Sequence, residues 1–249
     1  MSLFCLVHGA NLGAWCWDLL IPELEARGHK TLAMDLPIDN PTATFSDFVD
    51  SVVEAIPPGE DDVILVGHSF AGTVIPLVAS QRPVRRLVYL VALIPYPGMR
   101  KLDQFYDEVD ADALTAISYE PPPKEQLERF RDEPDMYNPA CLRLKQQAAE
   151  NAEVAMEYCF HDCQPDVARW GISKLRYQAS LAYLTEVFPL QALPDVESVY
   201  IVGTEDRIIS PAWSRYAARK RLGVDAVELP AGHYPQISHP AELAEILTR

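Results

Sequence analysis

The chain has 249 residues, of which 49% are hydrophobic and 23% are charged. This is enough for one large α/β domain, or a core with an inserted subdomain, that buries well over half of the surface of its unfolded chain. Its formal net charge of −15 repels nucleic acid phosphates and anionic membrane surfaces, so neither nucleic acid nor a membrane is an expected partner.

The first ten residues, MSLFCLVHGA, lack the features of a secretory signal. They contain no basic n-region, and His8-Gly9 interrupts their apolar stretch. No apolar run in the sequence approaches the roughly 20 residues that a membrane helix needs. We therefore expect a soluble, cytoplasmic protein.

Short apolar runs predict six β-strands. Most of them are near-continuous in Val, Ile and Leu rather than alternating, as expected for strands that are covered on both faces. This pattern favours a parallel sheet. The predicted strands are residues 3–9, 30–37, 62–68, 85–93, 198–204 and 225–230.

Segments with helical spacing of apolar residues separate these runs, and several end in Gly or Pro. Alternating strands and helices are typical of a doubly wound α/β fold, in which ligands bind at the carboxyl ends of the strands. The predicted helices of this core are residues 15–28, 45–56, 70–82, 211–223 and 239–249.

The alternation stops between residues 95 and 194, a stretch that is rich in proline near its start. It contains helical patterns at residues 125–133, 141–160 and 174–188 and no convincing strand. We predict a core of residues 1–94 and 195–249, with residues 95–194 inserted after the fourth strand as a helical cap. The cap is expected to lie over the carboxyl edge of the sheet as a lid.

The sequence GHSFAG, residues 67–72, follows a predicted buried strand directly and opens a predicted helix. Between a strand and a helix, a G-x-S-x-G-like pattern indicates a nucleophilic serine, because the sharp turn there exposes the serine at the top of the sheet. Ala71 stands where the pattern usually has its second glycine, and Gly72 follows it. Ser69 is therefore the candidate nucleophile, and a plain strand-to-helix corner is the alternative.

A serine hydroxyl needs a base to take its proton and a third group to orient that base. For this kind of turn the chain order is serine, acid, histidine. Asp206 follows the fifth predicted strand and His233 follows the sixth, so both side chains could reach over the same edge of the sheet. Glu205 is the competing acid and His239 the competing base, although His239 precedes a proline in a typical helix-start position.

Acyl transfer also needs about two donors for the oxyanion, and the loss of one costs ~3 kcal/mol. The backbone N–H of Phe70, directly after the nucleophile, is one candidate. The second should come from the loop after the first strand, where Gly9 allows the chain to turn and leaves the N–H of Ala10 available.

With these motifs the chain resembles the α/β-hydrolase superfamily. The resemblance is carried by HGA (8–10), GHSFAG (67–72), GTEDRIISP (203–211) and AGHYPQISHPAELAEIL (231–247). It implies an α/β-hydrolase fold whose sheet is a six-stranded, mostly parallel, doubly wound version. HGANLGAWCWDLLIPELEARGHKTLAMDLP, residues 8–37, is similar to the opening of the plant methyl-esterase and hydroxynitrile-lyase group.

Three positions separate the two branches of that group. The lyases carry a threonine beside the first-strand histidine, a lysine after the catalytic histidine and a glutamate before the nucleophile. This chain has Gly9, Tyr234 and His68 there. The resemblance thus implies the esterase-like branch, since Tyr234 offers no fixed cation to bind cyanide.

The expected activity is hydrolysis of small, largely apolar or aromatic carboxylic esters through an acyl-enzyme, without a cofactor. Lactone or carbon–carbon bond hydrolysis with the same triad is an alternative, as is a small-molecule receptor that kept the fold. Four aromatic residues of the cap are candidates for substrate contact, with packing inside the cap as the other interpretation. They are Trp170, Tyr177, Tyr183 and Phe188.

The five cysteines are expected to be reduced thiols, because their number is odd and no export signal is present. Cys159 and Cys163 flank His161, but no second pair of ligands with zinc-like spacing lies nearby. No metal site is therefore expected. The small-molecule ester is the expected partner, and the sequence leaves a homodimer open.

Overall fold

The computed structural model describes residues 1–101 and 152–249, and each of the six predicted strands forms within them. The strands make one sheet in the order β2-β1-β3-β4-β5-β6, and every neighbouring pair is parallel. The predicted α/β-hydrolase architecture is confirmed. The strands are β1 (Leu3–Val7), β2 (Lys30–Ala33), β3 (Val63–His68), β4 (Arg86–Leu90), β5 (Glu197–Gly203) and β6 (Val227–Leu229).

Alternate residues of the strands enter two separate apolar cores, one on each face of the sheet. Along β3, Leu65 joins the core that contains the helices of residues 45–55 and 75–81, whereas Val66 joins the core that contains the helices of residues 21–26 and 240–247. Because both faces are covered, both sets of side chains must be apolar, which explains the continuous Val, Ile and Leu runs. The helices of this layer structure are α1 (Ile21–Ala26), α2 (Phe45–Ala55) and α3 (Ile75–Gln81) before the cap, and α7 (Pro211–Ala217), α8 (Pro235–Ser238) and α9 (Pro240–Leu247) after it.

Three predicted core helices are interrupted. Residues 15–28 contain a short 3₁₀ turn, Ala14–Trp17, before α1 begins, and residues 70–82 begin as the 3₁₀ turn Ser69–Thr73 before α3. After α7 the chain continues as a π-helical turn, Ala218–Leu222. Prolines at Pro22 and Pro76 explain the first two breaks, since proline is accepted in the first turn of a helix and not in its interior.

The described part of the cap is helical but differs from the predicted pattern. It contains α4 (Ala152–Tyr158), α5 (Pro165–Ser173) and α6 (Ala182–Thr185). The prediction of a helix over residues 174–188 is wrong for most of that range, because the backbone N–H groups of Arg176 and Ala179 donate to loop carbonyls of the core at Asn11 and Ile38. The predicted helix 125–133, most of 141–160 and Cys141 lie outside the described residues.

The strand order brings the functional loops together. β2 lies on one side of β1, whereas β3 to β6 follow one another on its other side. The direction in which successive strands are added therefore reverses between β1 and β3. Val7 pairs with Gly67, which places His8–Ala10 beside Ser69. Gly203 pairs with Leu229, which brings the loops after β5 and β6 together. Ligands of open parallel sheets bind at such a reversal.

Candidate active site

Ser69 lies at the sharp turn between β3 and the 3₁₀ turn that follows it. Its φ angle is +53°, in the left-handed region that residues other than glycine rarely adopt. Such a backbone costs about 1–3 kcal/mol and persists only where the surroundings hold it. Here the N–H of Leu93, after β4, donates to the carbonyl of Ser69 at 3.0 Å.

Gly72 provides the close approach that this turn requires. A β-carbon at residue 72 would overlap the carbonyl oxygen of Leu93 and lie 2.8 Å from the side chain of Ala92. Ala71, which occupies the usual second-glycine position of the pattern, is fully buried without such an overlap. The position in this turn that has no room for a side chain is thus Gly72.

The structure brings Ser69, His233 and Asp206 into one hydrogen-bonded series. The distance from Ser69 Oγ to His233 Nε2 is 3.1 Å, and His233 Nδ1 donates to Asp206 Oδ2 at 2.8 Å. The other oxygen of Asp206 accepts the N–H groups of Ile208 at 2.7 Å and Ile209 at 3.1 Å. One carboxylate oxygen is thus held by the backbone, which aims the other at the imidazole.

The two competing residues lie elsewhere. Glu205 is exposed, whereas the neighbouring Asp206 is only 6% exposed. His239 is the N-cap residue of α9, and its Nδ1 lies 2.8 Å from the hydroxyl of Ser238. Neither belongs to the series that ends at Ser69.

The two predicted oxyanion donors flank the serine. Phe70 directly follows Ser69 at the start of the 3₁₀ turn, and Ala10 follows Gly9 in the loop after β1. A β-carbon at residue 9 would lie 2.9 Å from the β-carbon of Ser69, so the two loops are in direct contact. Among the described residues, the N–H groups of Ala10 and Phe70 have no hydrogen-bond acceptor. Both are therefore available to a bound oxygen.

His8 anchors this loop as a neutral imidazole. Its Nδ1 donates to the carbonyl of Gly9 at 2.8 Å, and its Nε2 accepts the N–H of Leu36 at 2.9 Å. Nε2 cannot accept that bond once it carries a proton. Burial accordingly lowers the pKa of His8 from 6.5 to about 4.

We expect His8 to make the fold acid-sensitive. Between pH 6.5 and about pH 4 the unfolded chain takes up a proton at His8 that the folded chain does not, so the free energy of unfolding falls as the pH decreases. At 1.36 kcal/mol for each pKa unit, the loss approaches about 3 kcal/mol. Urea unfolding of wild type and His8→Gln from pH 7 to pH 4 measures it. The carboxylates contribute equally to both proteins, so curves that stay parallel contradict the expectation.

The three positions that distinguish the esterase-like from the lyase-like branch form one contact cluster. The ring of His68 packs against Gly9, where a β-carbon would overlap its Nδ1, and against Tyr234 at 5.5 Å between ring centroids. His68 Nε2 also donates to the backbone carbonyl of His233 at 2.8 Å. Burial lowers the pKa of His68 and raises that of the Tyr234 hydroxyl, so the cluster is uncharged.

The four predicted substrate-contact residues are spread over the described part of the cap. Tyr183 packs on Phe70, next to the serine, with ring centroids 4.8 Å apart. Phe188 packs on the core residue Phe45, Trp170 packs on Trp15, and Tyr177 is 41% exposed. The ring of Tyr183 thus contacts the residue beside Ser69.

Cys159 and Cys163 are free thiols, and burial raises the pKa of each to about 12. Within residues 1–101 and 152–249, no three histidine, cysteine or acidic side chains are grouped so that they could hold a metal ion. In the same residues, no helix is both long enough and apolar enough to cross a bilayer.

Sequence reasoning missed the residues of the cap that contact two loops of the candidate site. Two hydrogen bonds join Arg176 to Asn11, whose φ is +62°. The backbone N–H of Arg176 donates to the carbonyl of Asn11, and the side-chain amide of Asn11 donates to the carbonyl of Arg176. Asp162 accepts the N–H of Gly232, directly before His233. One feature of the sequence indicates the contact of Asp162. The segment FHDCQPD, residues 160–166, contains polar residues directly before Pro165, a residue type that often begins a helix.

The sequence matches the model of the alpha/beta hydrolase family over residues 6–246. It is similar to norfluorocurarine synthase 1 from a Strychnos species, with 29% identity over 266 residues that cover 98% of this chain and 93% of the relative. It is also similar to polyneuridine aldehyde esterase from Rauvolfia serpentina, with 41% identity over 107 residues, 38% of this chain and 40% of that protein.

Solved structures give the same fold. An extracellular alpha/beta-hydrolase from a Paenibacillus species superposes with a TM-score of 0.75, covering 100% of this chain and 98% of that chain at 24% identity. A likeness at this identity speaks for the architecture alone.

Proposed function

The chain belongs to the alpha/beta hydrolase family, and from that premise we propose that it is a serine esterase with Ser69 as nucleophile, His233 as base and Asp206 as the acid that orients the base. The observation that carries the proposal is the unbroken series of hydrogen bonds from Ser69 Oγ through the imidazole to Asp206. A base that is positioned to take the proton, and that is itself oriented by a third group, turns a serine hydroxyl into a usable nucleophile at neutral pH.

The geometry supports the following sequence of steps. His233 Nε2 takes the hydroxyl proton of Ser69 while Oγ attacks the ester carbonyl, and Asp206 stabilises the imidazolium that forms. The bond to the alcohol then breaks, and the alcohol leaves with the proton from Nε2. A water that loses its proton to the same nitrogen attacks the acyl-enzyme, and Ser69 recovers its proton as the acid departs.

The N–H groups of Ala10 and Phe70 are proposed to bind the oxyanion in both tetrahedral states. Their lack of an acceptor in the described residues supports this role, since a donor held ready costs no reorganisation when charge develops. The close contact between the loops of Gly9 and Ser69 supports the proposal, because it brings the loop that carries Ala10 next to the serine.

Small esters with apolar or aromatic groups are the proposed substrates, and residues 95–194 are proposed as the cap over them. Tyr183, in contact with Phe70, supports an aromatic wall beside the nucleophile. The name of the relative polyneuridine aldehyde esterase supports ester chemistry. The uncharged cluster of Gly9, His68 and Tyr234 supports hydrolysis over cyanohydrin cleavage, because it presents no cation beside the triad.

A substrate panel combined with covalent labelling tests the proposal. We expect the purified chain to turn over p-nitrophenyl esters faster than lactones or cyanohydrins, and a fluorophosphonate to form one adduct that mass spectrometry maps to Ser69. Pre-labelling should abolish ester turnover. Absence of turnover together with ligand-induced shifts in melting temperature would instead support a binding protein.

A further inference from the structure

The last turn of α4 and the segment that joins it to α5 contact the loops of both the acid and the base of the proposed triad. Three residues make these contacts: Glu157, His161 and Asp162, which we call the cap clasp. They belong to the cap, whereas Asp206 and His233 belong to loops of the core. The mechanism proposed above uses none of the three.

On the side of the base, Asp162 Oδ2 accepts the backbone N–H of Gly232 at 2.7 Å. The side chain of Asp162 is only 6% exposed, and the same oxygen lies 3.6 Å from His239 Nδ1. A β-carbon at residue 232 would be 2.7 Å from Asp162 Oδ1 and 2.9 Å from His161 Nε2. A β-carbon at this position would therefore displace the side chains of Asp162 and His161 from their present places.

On the side of the acid, the clasp contacts both neighbours of Asp206. His161 Nε2 donates to the carbonyl of Glu205 at 3.1 Å. Arg207 Nη1 donates to the carbonyl of Glu157 at 2.9 Å. One short segment thus fixes the spacing between the two loops that the hydrogen bond from His233 to Asp206 must span.

We propose that Asp162 is a positioning residue for His233. A carboxylate that accepts a hydrogen bond from a buried N–H makes a short, strong bond. The bond from Gly232 to Asp162 therefore holds the backbone directly before His233. The inference rests on the proposed function, since it assigns Asp162 the task of keeping Nε2 within reach of Ser69 Oγ. A misplacement of about 1 Å in such a constellation costs up to about 10²-fold in rate.

The test compares Asp162→Ala, Asp162→Asn and Asp166→Asn. Asparagine keeps a carbonyl oxygen that can accept the Gly232 N–H, whereas alanine removes the acceptor. Asp166, in the exposed ion pair with Arg169 on α5, is the matched control. We expect Asp162→Ala to lower kcat for a p-nitrophenyl ester about 10- to 100-fold with little change in KM, while Asp162→Asn and Asp166→Asn stay near wild type.

A second readout does not depend on turnover. The proton between His233 Nδ1 and Asp206 should give a downfield ¹H resonance that Asp162→Ala broadens or shifts and Asp162→Asn retains. If Asp162→Ala does not fold, Gly232→Ala tests the same contact from the opposite side and should lower kcat in the same way.

Equal kcat values for wild type and Asp162→Ala, or a loss of melting temperature without any loss of kcat, would overturn the positioning role and leave the esterase proposal intact. A wild type that turns over no ester would overturn the esterase proposal. In that case an unchanged His233 resonance in Asp162→Ala would also overturn the role of Asp162, and a lost resonance would support it.

Discussion

Ser69→Ala is expected to lower kcat for p-nitrophenyl esters about 10⁶-fold, to the level left by the oxyanion donors and binding alone. The reason is that, in the described residues, the hydroxyl within hydrogen-bond distance of His233 Nε2 is that of Ser69. KM should change little, because the alanine removes only the atom that forms the acyl bond. Steady-state kinetics with a p-nitrophenyl ester measure both parameters.

The control for this variant is Ser238→Ala. Ser238 lies in α8, shortly after His233, and its hydroxyl contacts the carbonyl of Tyr234 at 3.3 Å. We expect this change to leave kcat within a few-fold of wild type. Melting curves show that Ser69→Ala remains folded, and turnover by a folded Ser69→Ala protein would refute the assignment of the nucleophile.

Asp206→Asn is expected to lower kcat about 10⁴-fold while the fold is kept. The asparagine oxygen can retain the two bonds from Ile208 and Ile209, which turns its NH₂ group toward His233. His233 Nδ1 must then act as the acceptor, so the ring carries its proton on Nε2. That tautomer cannot take the proton of Ser69.

Glu205→Gln is the matched control for Asp206→Asn. Glu205 is adjacent in sequence and exposed, and only its backbone carbonyl contacts the cap clasp. We expect kcat of Glu205→Gln to equal that of wild type. If the two variants were equally impaired, or Glu205→Gln alone were impaired, the acid of the triad would have been assigned to the wrong residue.

The existence of the six strands and their parallel arrangement could be predicted because they depend on local patterns. The apolar runs of β3 and β5 predict buried strands, and the exits of successive parallel strands must share one edge of the sheet. Strand ends were predicted too long: residues 85–93 contain β4 only as Arg86–Leu90. At Val91 the chain turns with a φ of +41°, which an apolar run cannot signal.

The cap was harder to predict because its chain is shaped by contacts with distant segments. Residues 174–188 have helical spacing, yet Arg176 and Ala179 hydrogen-bond to Asn11 and Ile38 of the core instead. Helical propensity is a weak preference that such contacts override.

The sequence by itself determined which residue types were present for the chemistry, and in which order: a serine at a strand-to-helix turn, then Asp206, then His233. Only the tertiary structure decided which of two adjacent acids faces the histidine, that Gly9, His68 and Tyr234 form one cluster, and that Asp162 of the cap holds Gly232. The physical reason is the separation along the chain of the residues that interact. Hydrophobic periodicity reports on neighbours within a few residues, whereas these contacts join residues that lie far apart along the chain and meet only once the sheet has formed.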